Sequence, residues 1–210
     1  MIMQILGPIF FGCFIIFGLE ILYHKKKDDH RRDEARRRFW DRESEANDVR
    51  RQDITFLNYI PVKTEMLPME PADDSEITEY QNVINDLKNK RILDLKDSTN
   101  TELKLQYGPA NLPDLCSYEE NFILLINTLT GWANRLVELD LHQDAIKVLE
   151  YGISIGSDSS RMYCLLAAEY NRVGTPEKIS ALINRAESLN SIMKKSILKK
   201  LKEIQKYSAS

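Results

Sequence analysis

Two stretches near the C-terminus decide the fold: LTGWANRLVELDLHQDAIKVLEYG at residues 129–152 and YCLLAAEYNRVGTPEKISALINRA at residues 163–186. A shift of 34 residues aligns them, and the paired positions are apolar or small in both. The pairs are Leu129 with Tyr163, Trp132 with Leu166, Ala133 with Ala167, Leu136 with Tyr170, Ala145 with Ile179, Leu149 with Ile183 and Gly152 with Ala186. A period of this length predicts a repeated helix–turn–helix unit.

These residues resemble the tetratricopeptide (TPR) repeat over about residues 127–190, with units at about 127–156 and 161–190. The resemblance implies antiparallel helical hairpins and a concave groove that binds a peptide. The chain departs from the family pattern at Asp140, which replaces the turn glycine of the first unit, and at Ile179, where a small residue is expected. No proline closes either unit.

Further helices are predicted around these two units, so the expected fold class is all-α. Apolar residues at helical spacing predict a helix from Ser75 to about Leu93 and a short one after Asn100. Ser117, followed by Glu120 three residues later, is a capping-box signal for the start of the long helix through Leu136. A lysine-rich helix from Met193 is expected to cap the repeats, with a membrane-surface or nucleic-acid helix as the alternative.

The N-terminal residues 1–23 are almost wholly apolar, and they predict a single transmembrane helix. At ~1.5 Å per residue, 22 residues reach ~33 Å, enough for a hydrocarbon core of about 30 Å. Lys25, Lys26 and Lys27 follow at once. Basic residues stay on the cytoplasmic side, so we expect a single-pass protein with a short N-terminus outside and its C-terminal domain in the cytoplasm.

Three soluble regions are predicted after the span. Residues 24–52 read as a charged juxtamembrane stalk helix, in which the pairs Asp33–Arg37 and Glu34–Arg38 would add stability, and Lys25, Lys26 and Lys27 could contact anionic lipid. Residues 53–74 contain three prolines and read as an extended linker. Its Phe56, Leu57 and Tyr59 are expected to lie against the helical domain, which spans residues 75–210, with a short docking site for another protein as the alternative.

Composition excludes several classes of function. The chain has 29 Lys and Arg against 32 Asp and Glu, a net charge of -3, which argues against nucleic acid as a partner. The three cysteines have no C-x-x-C spacing, and no phosphate-binding loop, nucleophile elbow or H-E-x-x-H motif is present. We therefore predict no catalytic, cofactor-binding or metal-binding residues. His142 is expected to be a surface residue of the first hairpin.

The candidate partner-binding residues are those of the first helix of each unit that point away from the packing positions. They are Asn127, Thr130, Asn134, Glu138, Arg161, Asn171 and Arg172. By resemblance to the family, these positions line the concave groove, and Asn134 matches an asparagine that holds a peptide backbone or carboxylate. Thr130 stands where the family has the accompanying lysine. An ordinary solvated helix face is the alternative interpretation.

The sequence therefore favours a membrane-anchored, non-enzymatic scaffold that binds a protein or peptide through TPR-like repeats. One alternative is a structural subunit whose helical face is permanently buried in a membrane complex. Another is an import-receptor-like protein of an organelle membrane, which has a similar order of anchor, stalk and repeat domain.

Overall fold

The computed structural model describes the backbone from residue 3 to residue 208 and the side chains of Phe17, Glu20 and residues 22–206. The described residues form eight α-helices and no strand, so the fold class is all-α. The helices are α1 (Met3–Asn47), α2 (Ser75–Leu87), α3 (Asn100–Tyr107), α4 (Leu112–Glu138), α5 (His142–Ser154), α6 (Ser160–Arg172), α7 (Lys178–Glu187) and α8 (Lys194–Ser208). Short 3₁₀ helices lie at Thr64–Met66 and Pro109–Asn111.

Most side chains of the predicted membrane span, residues 1–23, lie outside the described residues. Across the part of the chain that the structure does describe, no helix combines the length and hydropathy that a bilayer span requires. The span stays a prediction from the sequence.

Residues 1–52 and 100–110 form one compact unit, in which α3 packs against α1. Glu43 of α1 accepts a hydrogen bond from Nζ of Lys104 at 2.7 Å and another from the hydroxyl of Thr101. The bond from Lys104 is the main reason that the pKa of Glu43 lies below its ordinary value. A charged contact therefore joins the two helices of this unit.

The charged part of α1 forms ion pairs, but not the predicted ones. Asp33 pairs with Arg36 at 2.6 Å instead of with Arg37, and Glu34 lies 3.4 Å from Nδ1 of His30. Residues three and four apart share a helix face, so either partner is within reach. These side chains are exposed, so each pair contributes little stability.

Residues 53–99 and 111–210 form the second unit, whose core lies between successive helices. In it α2 packs on α4, α4 on α5 and α5 on α6, while α8 packs on both α6 and α7. Trp132, Tyr151 and Tyr163 are among its largest fully buried side chains. The predicted packing alanines Ala145 and Ala167 are both 0% exposed, because helices meet at these positions.

Helices α4 and α6 end in the same conformation. Asp140 has φ of 58° and Gly174 has φ of 76°, the left-handed region in both turns. The next amide in each turn, of Leu141 and of Thr175, donates to the carbonyl five residues earlier at 2.8 Å. This arrangement satisfies helix-terminal carbonyls and is the usual reason for glycine after a helix.

Two predicted helix boundaries are wrong. Helix α4 begins at Leu112, so the capping-box residue Ser117 lies inside the helix. Pro113 is tolerated there because a residue in the first turn has no intrahelical acceptor for its amide. Helix α2 ends at Leu87 and not at Leu93. A turn follows it, and the carbonyl of Ile92 then accepts a hydrogen bond from the amide of Ile60 at 2.9 Å.

The proline-containing segment of residues 53–74 packs into the second unit. Val62 and Leu67 are buried within its core. Leu57 and Tyr59 are half-buried, in line with the expected contact with the domain. Phe56 departs from that expectation, because its side chain is 89% exposed.

Candidate partner-binding surface

One face of α4 combines apolar and polar side chains. Asn127 and Glu138 are exposed and Asn134 is half-buried, at positions that helical spacing places on one side. Ile123 and Leu124 precede them on the same side and are 52% and 43% exposed. The N-terminal part of this face is therefore apolar, and its C-terminal part carries amide and carboxylate groups.

Ile123 and Leu124 are absent from the residues predicted from the sequence. The rule that selects Asn127, orientation away from the packing positions, would also have selected them one turn earlier. The repeat resemblance begins only at about residue 127, and both residues precede it. Apolar side chains this exposed are stronger indicators of contact than solvated polar ones.

Thr130 and Asn134 are both bonded to their own helix. The Thr130 side chain is 9% exposed, and its hydroxyl donates to the carbonyl of Ile126 at 2.7 Å. Nδ2 of Asn134 donates to the Thr130 carbonyl at 2.5 Å. Asn134 keeps its amide oxygen and a second N–H for a ligand, whereas Thr130 has little surface to offer.

The outward face of α6 has a cation near each end. Arg161 and Arg172 are exposed and eleven residues apart, which places them on one face about 16 Å from each other. Cys164 and Ala168 lie between them on that face. Arg172 is partly engaged, because its Nε lies 3.6 Å from Oε1 of Glu169.

A buried polar cluster supports the end of α6. The Glu169 side chain is 1% exposed, and its Oε2 lies 2.8 Å from Nδ1 of His142 at the start of α5. His142 is 21% exposed, so it is not the free surface residue that the sequence predicts. The carboxamide oxygen of the neighbouring Asn171 is buried without a hydrogen-bond partner. The carboxamide oxygen of Asn171 therefore points into the interior and is an unsatisfied hydrogen-bond acceptor.

The candidate residues of α4 and those of α6 remain two separate sets. Glu138 pairs with Arg135 of its own helix at 2.8 Å, and Arg172 contacts Glu169 of its own helix. Among the described side chains, no hydrogen bond or ion pair joins one set to the other. A partner that uses both sets would have to contact two helices.

A cavity of about 450 Å³ lies between α2, the end of α4 and the proline-containing segment of residues 53–74, called the connector below. Leu139 and Leu141, which flank the α4–α5 turn, are 38% and 44% exposed and form part of its wall. Glu70 and Asp73 lie at the same cavity. It is an apolar recess with acidic side chains nearby, which the sequence does not predict.

A groove of about 480 Å³ lies between α5, α6 and α7. The Tyr170 hydroxyl donates to Glu150 at 2.7 Å, and Nζ of Lys178 lies 5.2 Å from the centre of the Tyr170 ring. Burial, and then the bond to Glu150, raise the pKa of Tyr170. Tyr170, Glu150 and Lys178 therefore contact one another in the wall of this groove.

Among the described residues, no cluster of three or more His, Cys, Asp or Glu side chains could hold a metal ion. Comparisons with protein-family models, with curated proteins and with solved structures give no match.

Proposed function

We propose that this chain is a membrane-anchored, non-enzymatic scaffold whose TPR-like helical hairpins bind a protein or a peptide. The observation that carries the proposal is a 34-residue recurrence in the helices. Helix α4 ends at Glu138 and α6 at Arg172, while α6 begins at Ser160 and α8 at Lys194. When two-helix units stack at this period, one face of the first helix of each unit stays exposed and can bind a partner.

The partner's chemistry follows from the two helix faces. Ile123 and Leu124 favour an apolar side chain of the partner, since their exposed area would be removed from water. Arg161 and Arg172 favour an acidic group, because guanidinium groups make charge-assisted hydrogen bonds to carboxylates. An extended or helical segment with both acidic and apolar residues fits these requirements.

The anchor is residues 1–23, and the orientation follows from the basic residues behind it. Lys25, Lys26 and Lys27 would keep that end in the cytoplasm and could contact anionic headgroups. A topology reporter fused after Ser210 is expected to give a cytoplasmic signal. An external signal would reverse the proposed orientation.

Site-specific photo-crosslinking in the full chain, in its native cells, tests the binding surface. A crosslinker placed at Leu124 or Arg161 should capture one discrete partner, whereas a crosslinker at Asn184, exposed on α7, should not. Replacement of Asn134, Arg161 and Arg172 together by Ala should abolish that adduct from Leu124. Equal capture from Asn184 would show that these faces are not the binding surface.

A constitutive structural subunit is the second candidate, and the exposed pair Ile123 and Leu124 is the observation in its favour. Permanent interfaces are more apolar than transient ones. Purification in detergent distinguishes the two functions. A scaffold should be soluble and monodisperse alone, whereas a subunit should aggregate unless its partner is co-expressed or Ile123 and Leu124 are replaced by Ser.

A further inference from the structure

The last helix presents a line of lysines away from the fold. Lys195, Lys199, Lys202 and Lys206 are all exposed, and their spacing of four, three and four residues places them on one face of α8. Ile192, two residues before the helix begins, is 97% exposed. An almost fully exposed isoleucine therefore lies at the head of a lysine stripe about 16 Å long.

The stripe is not needed to pack α8. Ile197 and Leu201, on the opposite side of the helix, are 0% exposed and belong to the core of the second unit. Lys200 lies outside the stripe and donates to the hydroxyl of Ser160 at 3.1 Å. Ile197 and Leu201 thus account for the position of α8, and the lysine stripe lies on the exposed side of the helix.

We infer that the lysine stripe and Ile192 form a docking surface for an anionic lipid bilayer. Lysines near a surface of acidic lipids are attracted to it without precise geometry, and an exposed apolar side chain can insert between the headgroups. Charge complementarity supports this occupant, because α8 contains six lysines and a single acid, Glu203.

Nucleic acid and acidic protein fit this surface less well. Binding of single-stranded nucleic acid normally adds arginine and stacked aromatic side chains to the basic groups, and the stripe has neither. The whole chain has a net charge of -3. A protein surface that is acidic alone would leave the exposed Ile192 without a contact.

The test measures how fast each lysine of the full chain is acetylated by an amine-reactive reagent, read by mass spectrometry. The chain is placed in nanodiscs of phosphatidylcholine alone or with 30% phosphatidylserine, roughly the proportions of an anionic leaflet. We expect acetylation of the four stripe lysines to slow at least threefold in the anionic discs and to recover in 0.5 M salt, roughly where the Debye length becomes shorter than a side chain. Lys90, exposed after α2, serves as the internal control and should not change.

Variants separate the two parts of the surface. Replacement of the four stripe lysines by Gln should remove the dependence of binding on phosphatidylserine. The measurement is amide hydrogen exchange around Ile192, whose protection should then be equal in neutral and in anionic discs. Ile192→Ser should weaken protection of the lysines, whereas the matched change Lys88→Gln with Lys90→Gln should leave it intact. Equal acetylation in both kinds of disc would overturn the inference.

Two further outcomes identify a different partner. Stronger protection by an RNA oligonucleotide or by polyglutamate than by anionic discs would also overturn the lipid assignment, in favour of nucleic acid or an acidic protein.

The inference does not depend on the peptide-binding surface of α4 and α6. Incorporation into the neutral discs tests the N-terminal anchor separately, and a chain that fails to incorporate is assayed with added vesicles of the same two compositions.

Discussion

The matched turns after α4 and α6 allow a paired substitution that tests the repeat directly. Gly174 and Asp140 occupy the same left-handed conformation one 34-residue period apart, but only one of them is glycine. We predict that Gly174→Ala destabilises the protein and that Asp140→Gly stabilises it. Opposite signs from equivalent positions are expected only if both turns have the described backbone.

The magnitude follows from the surroundings of Gly174. A Cβ built there has no atom within 4 Å, so the cost is purely conformational. The left-handed conformation costs a non-glycine residue ~1–2 kcal/mol. The reduced freedom of the unfolded chain returns ~0.4–1 kcal/mol of that. The net loss for Gly174→Ala is therefore about 1 kcal/mol, or roughly 2–4 °C in Tm for a chain of this size.

Asp140→Gly should give a smaller gain, about 0.5 kcal/mol or less, because aspartate tolerates this conformation better than alanine does. The substitution also removes a 3.6 Å contact between Asp140 and Nε2 of His142. The Asp140 side chain is 88% exposed, so that contact contributes little. Asp140→Asn is the matched control, since it keeps the shape of the side chain and removes only its charge.

Tryptophan fluorescence of the full chain in detergent measures both changes. Trp132 is 0% exposed and Trp40 is 62% exposed, so Trp40→Phe leaves a reporter in the core of the second unit. Urea midpoints of Gly174→Ala and Asp140→Gly would then be compared in that background. An unchanged midpoint for Gly174→Ala, or a loss of 1 kcal/mol or more for Asp140→Gly, would refute the shared turn.

Two further predictions use the same fluorescence assay. Ala167→Arg should cost more than ~3 kcal/mol, because it buries an unpaired charge between helices, whereas Ala168→Arg on the exposed side should be nearly neutral; equal effects would contradict the packing. The hydrogen bond from Arg135 is the main reason that the pKa of Asp74 is lowered. The Asp74 carboxylate therefore stabilises the fold at pH values above its ordinary pKa of about 3.9, and this stabilisation is lost as the pH falls through the lowered pKa. Asp74→Asn should therefore show a flatter loss of stability below about pH 4 than the unchanged chain or Asp73→Asn, and identical acid profiles would exclude this linkage.

The helical architecture was largely predictable because it depends on local periodicity. The apolar positions around Trp132 and Leu166 recur at the same intervals in the two stretches 129–152 and 163–186, and each is buried as the pattern predicts. The start of α4 was not predictable from the same kind of signal. A capping box at Ser117 and a helix start near Pro113 are both compatible with the sequence, and only the packed structure selects between them.

The candidate surface was predictable only in part, because exposure depends on which distant helix covers each position. Thr130 follows the outward pattern of α4 but is nearly buried. Its neighbour Gly131 lies against Tyr80 of α2, where a Cβ would be 2.9 Å from the tyrosine hydroxyl. This approach of α2 to α4 is a long-range contact without a local sequence signal. The burial of Glu169 next to His142 could not be predicted from the sequence for the same reason.

The segment at residues 53–74 shows how a stretch that resembles a linker can belong to the folded unit. Apart from the single 3₁₀ turn at Thr64–Met66, its prolines exclude helix, so its remaining backbone groups need other partners. The Tyr151 hydroxyl accepts from the amide of Lys63 at 2.9 Å, and Nε2 of Gln81 donates to the carbonyls of Pro68 and Glu70 at 3.1 and 2.9 Å. Tyr151 and Gln81 are themselves buried, so these bonds are shielded from water. The connector is therefore held by side chains of the helices it crosses, and the second unit begins with it and not at α2.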